Sequence, residues 1–415
     1  MSTNLLSARE TEFKDTYGPY IGKWRMEAIA ASGKFICETA GDGVYVRDIN
    51  RKSYLDCFLA TGVFNLGHRN EQVGRALTNA LETESYGGVF YLSEAKGELA
   101  RLLVETTPKE LELVLPCIGG GEAIDLALKV ATGNTGRKKV ICCHSSYHGS
   151  TGLAAELGSG FLRDWYPLEA LEVVRVEPGD INSLRNVVDD SVAALVMEPI
   201  RSLFDGKKSD RAYWSAVRDL CDAKRVILIV DEVVCGMGRL GTLWGSEEIG
   251  ISPDILVSAK GLSGGYFPMA AVVTRADLVN IWGNNPFRHY STYAWSNVGA
   301  RVAIAAIEET QRLLPQAMAA GDALHAGLKT LQAQFPDTIK RIQRTGMHFV
   351  VMTNFDRVTG KELTLSALAN GLLLQASGAY PEAPAKIFPP LILEAKHVDE
   401  ICDKLSDSLK QLESN

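Results

Sequence analysis

The stretch VILIVDEVVCGMGRLGTLWGSEEIGISPDILVSAKG, residues 226–261, holds two β-rich runs, Val226–Val230 and Ile255–Ser258. Neither run alternates apolar with polar residues, as expected of strands covered on both faces in a parallel sheet. Each gives way at once to polar chemistry: Asp231-Glu232-Val233-Val234 after the first, Ala259-Lys260-Gly261 after the second. Asp231 and Lys260 are 29 residues apart (260 − 231). That is about one strand–helix–strand unit, so adjacent parallel strands would present both at one sheet edge.

Outward from this stretch the same pattern recurs between about residues 110 and 275. Further strand candidates are Leu111–Leu115, Lys139–Cys143, Val173–Val176, Ala193–Met197 and Met269–Val273. Helical stretches such as Glu122–Ala131 and Tyr213–Lys224 separate them and are long enough for crossovers. The expected fold is α/β, a large domain on a mostly parallel seven-stranded sheet. The flanks differ. The short segment Gly43–Asp48, a strongly helical 300–333 and a final amphipathic helix over Val398–Leu412 predict a smaller α+β domain built from both chain ends. The expected division is 1–55 and 306–415 for the small domain and 56–305 for the large one.

Composition sets limits on function. Of 415 residues, 46% are hydrophobic and 22% charged, an ordinary globular mixture. The net charge of −7 offers no basic surface for nucleic acid. The N-terminus lacks a secretory apolar core, and no apolar run is long enough to span a bilayer. The eight cysteines have no spacing that pairs them as a metal site, and Cys142-Cys143 lie in an apolar run where buried thiols are expected. A cytoplasmic protein with reduced thiols, no membrane partner and no metal is the expectation.

Ligands in parallel sheets bind beyond the carboxyl ends of the strands, so polar residues after the apolar runs are the candidates. Cys117-Ile118-Gly119-Gly120-Gly121-Glu122 is a strand end, three glycines and a helix start. Bare glycines let a phosphate approach the N–H groups of a helix N-terminus. The turn has neither the dinucleotide fingerprint nor the Gly-Lys-Ser/Thr of a Walker loop. Tyr147, after the run ending at Cys143, can stack on a flat heteroaromatic ring. Asp231 can hold a ring nitrogen protonated. Lys260, flanked by small residues at the end of a buried strand, suits Schiff-base chemistry because burial lowers an amine's pKa. Tyr290–Asn297 adds a polar and aromatic loop. Taken singly, each has an ordinary alternative: a tight connection, a core-capping tyrosine, a helix N-cap, a lysine whose head reaches solvent. Phosphate cradle, stacking ring, carboxylate and amine in this order describe a site for pyridoxal 5′-phosphate.

The ordered set resembles the class III, ω- or amine-type aminotransferases, fold type I enzymes of pyridoxal phosphate. The resemblance rests on Gly120-Gly121-Glu122-Ala123, Tyr147-His148-Gly149, Glu198-Pro199-Ile200 and Asp231-Glu232-Val233. It continues through Gly236-x-Gly238-Arg239-x-Gly241, Pro253-Asp254-Ile255, Lys260-Gly261 and Pro389-Pro390-Leu391, with Gly62–His68 near the N-terminus. It implies that Lys260 carries the cofactor and shuttles the proton. It also implies that Asp231 pairs with the ring nitrogen, Tyr147 and Val233 pack on the two ring faces, and Gly120 and Gly121 bind the phosphate. Thr292 matches a threonine that reaches the partner subunit's phosphate, which implies a homodimer with shared active sites.

The resemblance implies a transaminase moving an amino group between a small-molecule amine or amino-acid donor and a keto or aldehyde acceptor in two half-reactions. Some positions depart from the family pattern. Val234-Cys235 follows Asp231-Glu232-Val233, Leu203 stands where enzymes of 4-aminobutyrate or ornithine carry glutamate, and Lys386 or no residue replaces the carboxylate-binding arginine before Pro389. Lysine cannot give a bidentate fork, which tilts the expected acceptor toward a carbonyl compound without an α-carboxylate. A decarboxylase or amino-acid epimerase would use the same Lys260 and Asp231. A nucleotide-binding dehydrogenase or a non-catalytic scaffold is disfavoured by the glycine spacing.

Overall fold

The continuous apolar runs become seven strands of one sheet, the five inner ones buried along almost their whole length and the two edge strands only in part. In a computed structural model, residues 7–31, 37–158, 169–283, 285, 287–376 and 383–414 are described. They divide into two compact units, Glu71–Leu314 and a second made of the segments Met1–Asn70 and Pro315–Asn415.

The larger unit carries the strands β1 (Leu113–Cys117), β2 (Lys139–Cys143), β3 (Glu172–Val176), β4 (Val192–Met197), β5 (Ile227–Asp231), β6 (Ile255–Ser258) and β7 (Ala270–Thr274). Their order in the sheet is β1-β7-β6-β5-β4-β2-β3. The five strands from β6 to β3 run parallel, while β7 is antiparallel to both its neighbours. Alternate residues of β5 serve opposite faces: Ile227 and Ile229 join the core under helix α1 (Gly120–Thr135), Leu228 and Val230 the core under α2 (Arg211–Lys224). Each fully buried side chain of this kind contributes about 1.5–3 kcal/mol of transfer free energy, so neither face tolerates a polar residue until the strand ends. The Cys142-Cys143 pair follows the same rule, one thiol to each core.

The helices end where their sequences require. α1 stops at Gly136, which takes a left-handed C-cap. α2 starts at Asp210, whose side chain accepts from the Tyr213 N–H at 2.7 Å.

The smaller unit holds two four-stranded sheets. One is the antiparallel set Glu38–Asp42, Tyr45–Asp48 and Ser53–Asp56, joined in parallel by Leu372–Leu373. The other pairs Ile339–Thr345, His348–Thr353, Ala385–Ile387 and Gln375–Ala376 in antiparallel fashion. The C-terminal helix spans Ala395–Glu413 and buries Val398, Ile401, Leu405 and Leu409, the apolar stripe its spacing predicts. No helix among the described residues is long and apolar enough to cross a membrane.

Candidate active site

Strand register brings the polar residues together. Asp231 pairs with Val257, so Lys260 lies just beyond the neighbouring strand end. Met197 pairs with Val230, so Glu198 follows on the other side of Asp231. The loop after β2 brings in Tyr147 and His148.

Asp231 is 3% exposed, and both its oxygens are engaged. Oδ2 meets His148 Nδ1 at 2.8 Å, and Oδ1 accepts the Val233 N–H at 2.9 Å. The carboxylate is therefore fixed in direction. Burial opposes a charge on His148, but the hydrogen bond and the negative charge of Asp231 outweigh it and raise the imidazole pKa above its ordinary value. His148 Nε2 is buried without a hydrogen-bond partner. Glu198 accepts from the Ser202 hydroxyl. Its burial, with the charge of Asp231 beside it, pushes its carboxyl up to about 7, against the pull of His148 and Lys260.

Lys260 opens a one-turn 3₁₀ helix, Lys260–Ser263, with a left-handed φ of 49°. A non-glycine residue in that region stores about 1–3 kcal/mol of strain, and such residues cluster at functional sites. Among the described residues its amine makes no hydrogen bond or ion pair. Burial lowers its pKa, although the charges of Asp231 and Glu198 work the other way. An uncommitted amine that gives up its proton more readily is the better nucleophile.

The glycine turn forms a bare helix N-terminus. Gly119 is the N-cap of α1 in an extended conformation, and no side chain caps it. A Cβ on Gly120 would lie 3.2 Å from both Val233 methyls, so Val233 packs directly on the turn. A Cβ on Gly121 would lie 2.6 Å from Thr151 Oγ. Gly149 lies against Gly121, where its own Cβ would come within 2.8 Å of the Gly121 Cα. Uncapped N–H groups with the helix dipole behind them suit a phosphate. Glu122, in the first turn, accepts the Ile118 N–H at 2.8 Å and the Ser291 hydroxyl at 2.5 Å. Burial disfavours its charge, but these bonds and the His289 ring 3.4 Å away hold its pKa at about 2. The turn is thereby tied to the loop that carries Thr292.

Tyr147 is 38% exposed, and its hydroxyl meets Ser150 Oγ at 3.2 Å. Thr292 is exposed, and its carbonyl accepts the Val89 N–H at 3.4 Å. Glu232 is turned away: it accepts the N–H groups of Gly245 and Ser246, both at 2.6 Å, and pins the loop after β5.

The sheet thus gathers Gly120, Gly121, Asp231, Val233 and Lys260, with Tyr147 at the same edge and Thr292 tied in through Ser291. The donor set fits pyridoxal phosphate: an uncapped helix N-terminus for the phosphate, a fixed carboxylate for a ring N–H, a partly exposed aromatic ring and a free amine. Two further participants, His148 and Glu198, escaped assignment from sequence. Glu198 follows β4 directly, so the strand-end rule that found Asp231 applies to it equally. In the smaller unit, Lys386 is fully buried on Ala385–Ile387, opposite Val350, and His68 is held by Asp56 at 2.8 Å.

The signature of the aminotransferase class-III family matches residues 28–409. An uncharacterized aminotransferase of Archaeoglobus fulgidus is 32% identical over 97% of this chain and 94% of its own length. The putrescine aminotransferase of Pectobacterium atrosepticum is 31% identical, covering 88% of this chain and 80% of that protein. The crystal structure of the ornithine aminotransferase from Toxoplasma gondii superposes with a TM-score of 0.88 at 24% identity, over 100% of both chains.

Proposed function

Since this chain belongs to the class III aminotransferases and is a pyridoxal-phosphate enzyme, we propose that Lys260, Asp231, Tyr147, Val233, Gly120, Gly121 and Thr292 carry its transamination. The observation that supports this most is the uncommitted Lys260 amine beside the buried Asp231–His148 pair.

Bound at this edge, the cofactor supplies an aldehyde that carries the amino group and a ring that takes up the electron pair left at the substrate carbon. The chain's own groups do the rest. Lys260 Nζ tethers the cofactor. When not tethering the cofactor, Nζ would take up and return the proton of the substrate carbon, a task its lowered pKa suits. Asp231, fixed in direction by His148 and the Val233 N–H, would hold the ring N–H. The N–H groups of Gly120 and Gly121 would bind the phosphate, and Val233 and Tyr147 would pack against the ring.

The two halves of the reaction follow a ping-pong order, with an amine in and a carbonyl compound out before the acceptor enters. The acceptor lacks an α-carboxylate, in keeping with Leu203, and with Lys386 or no residue, at the positions where the resemblance leads one to expect glutamate and arginine. The relative named for putrescine, a diamine, is in line with such chemistry. The working form is a homodimer that completes each site through Thr292. The exposed Phe90, Tyr91, Phe287, Tyr290 and Tyr293 around that threonine are the surface a second copy would cover. All eight cysteines are free thiols, in keeping with a cytoplasmic enzyme.

A visible spectrum of the purified protein, with and without a panel of amines and amino acids, tests this reading. A yellow band that a carboxylate-free amine bleaches, that an aldehyde restores and that Lys260→Ala lacks is expected. A band that Lys260→Ala retains unchanged refutes the assignment of the lysine. Restoration of the band only by α-keto acids, with no aldehyde active, refutes the assignment of the acceptor class.

A further inference from the structure

The fold assembles a second set of donors below the phosphate turn, from residues whose sequence spacing gives no sign of it. Cys117 Sγ at the end of β1, a carboxylate oxygen of Glu122 in α1 and a ring nitrogen of His289 all lie within 4.8 Å of one another. We propose that these three side chains bind a thiophilic divalent cation such as zinc or cadmium, and that its binding loosens the phosphate turn and inhibits the enzyme.

The geometry is close to what such an ion requires. Glu122 Oε1 and His289 Nε2 are 3.4 Å apart. With bonds of about 2.0–2.1 Å, the N···O edge of a tetrahedral zinc site is about 3.3 Å. The sulfur has only to close in by a side-chain adjustment. His289 Nε2 is buried and makes no hydrogen bond, and Cys117 is fully buried. One thiol, one imidazole and one carboxylate form a ligand set for zinc-like ions, because magnesium and calcium take oxygen alone.

One neighbour opposes the ion. Lys129 Nζ lies 3.1 Å from His289 Nδ1 and, as an ammonium, can only donate to it. That bond places the neutral ring's proton on Nε2, so an ion there must shift the proton to Nδ1 and turn Lys129 aside, besides facing its charge. Asp125, one turn along α1, supplies a negative charge nearby but is engaged by Thr151 and the Ala154 N–H. The same contacts explain inhibition. Glu122 Oε1 now holds Ser291 and Oε2 holds Ile118, the residues that flank Thr292 and the glycine turn. An ion that takes Oε1 releases Ser291 and pulls on the turn. This inhibitory half rests on the reading of Gly120 and Gly121 as the phosphate site; the binding half does not.

Titration of the holoenzyme with Cd²⁺ alone, read by the ultraviolet thiolate-to-cadmium band, tests binding. One ion per chain is expected, with Cys117→Ser and His289→Gln each weakening it at least about tenfold. Lys129→Met should tighten it, and Cys402→Ser, which changes the single half-exposed thiol, should leave it unchanged. No band, or a band insensitive to Cys117→Ser, overturns the proposal. In parallel, Zn²⁺ should inhibit wild type reversibly to a chelator and spare Cys117→Ser, with cofactor release followed by absorbance. Ligand-dependent binding without inhibition or cofactor release overturns the coupling to the phosphate turn and leaves the metal site standing.

Discussion

Replacing Gly149 by alanine is the sharpest probe of the phosphate turn. Gly149 has φ +123°, a conformation nearly confined to glycine, and its new Cβ would sit 2.8 Å from the Gly121 Cα. The backbone conformation costs an L-residue about 1–3 kcal/mol. Carbon atoms prefer about 3.5–4.0 Å, so the two loops must part by about 1 Å, and overpacking of that kind costs a further 1–3 kcal/mol or so. The variant should lose about 2–6 kcal/mol of stability. If Gly121 binds the phosphate as proposed, moving it by most of an ångström would also remove a charge-assisted hydrogen bond worth about 1.5–3 kcal/mol, so cofactor affinity should fall about ten- to a hundredfold. Gly119→Ala is the control. Its φ is −139° and nothing lies within 4 Å of its new Cβ, so the loss should stay below about 1 kcal/mol. Urea unfolding of the apoenzymes and spectroscopic titration with pyridoxal phosphate give both numbers. A Gly149→Ala protein with wild-type midpoint and affinity would refute the close approach of the two loops.

Asp231→Asn keeps the shape of the pair with His148 but removes its charge. The apoenzyme should lose about 1.5–3 kcal/mol in urea unfolding, and transfer should slow at least about a hundredfold in stopped-flow assays; a smaller loss of rate than of cofactor binding would contradict the assigned role. Glu198 and Glu232 both have folded-state pKa values raised from 4.5 to about 7, so the folded chain binds extra protons across that interval. Their contribution is therefore greatest at low pH and is lost as pH rises toward and past 7. The melting temperature of wild-type apoenzyme should fall more steeply between about pH 5 and 8 than that of Glu198→Gln, and equal slopes would argue against a shifted Glu198. Asp254 joins Arg275 at 2.7 Å, Arg218 at 3.0 Å and the Leu228 N–H at 2.8 Å at the opposite end of β6. Asp254→Ala should cost about 1–3 kcal/mol, chiefly by leaving the buried Leu228 N–H without its acceptor, since Arg275 keeps Asp277 and Arg218 keeps Asp222, while specific activity of the folded fraction holds. Lost activity at intact stability would place Asp254 in the site instead.

What the sequence determined follows from short-range rules. A strand buried on both faces must be apolar throughout, so β2 and β6 were legible to the residue, and the first polar group after a run marks the sheet edge. Asp231 and Lys260 were readable for that reason. The five parallel strands were readable from the helical stretches between them, and the C-terminal helix from its apolar stripe. Tertiary structure decided what depends on pairing between distant segments. That β7 runs antiparallel between β1 and β6 is a matter of register that an apolar run does not encode. The His148–Asp231 contact joins residues 83 apart in sequence, and Ser291 reaches Glu122 across 169. Cys117, Glu122 and His289 share no motif and meet only because the sheet edge and a returning loop converge. Hydrophobic periodicity records which faces are buried, and the folded chain alone decides which polar groups those faces bring together.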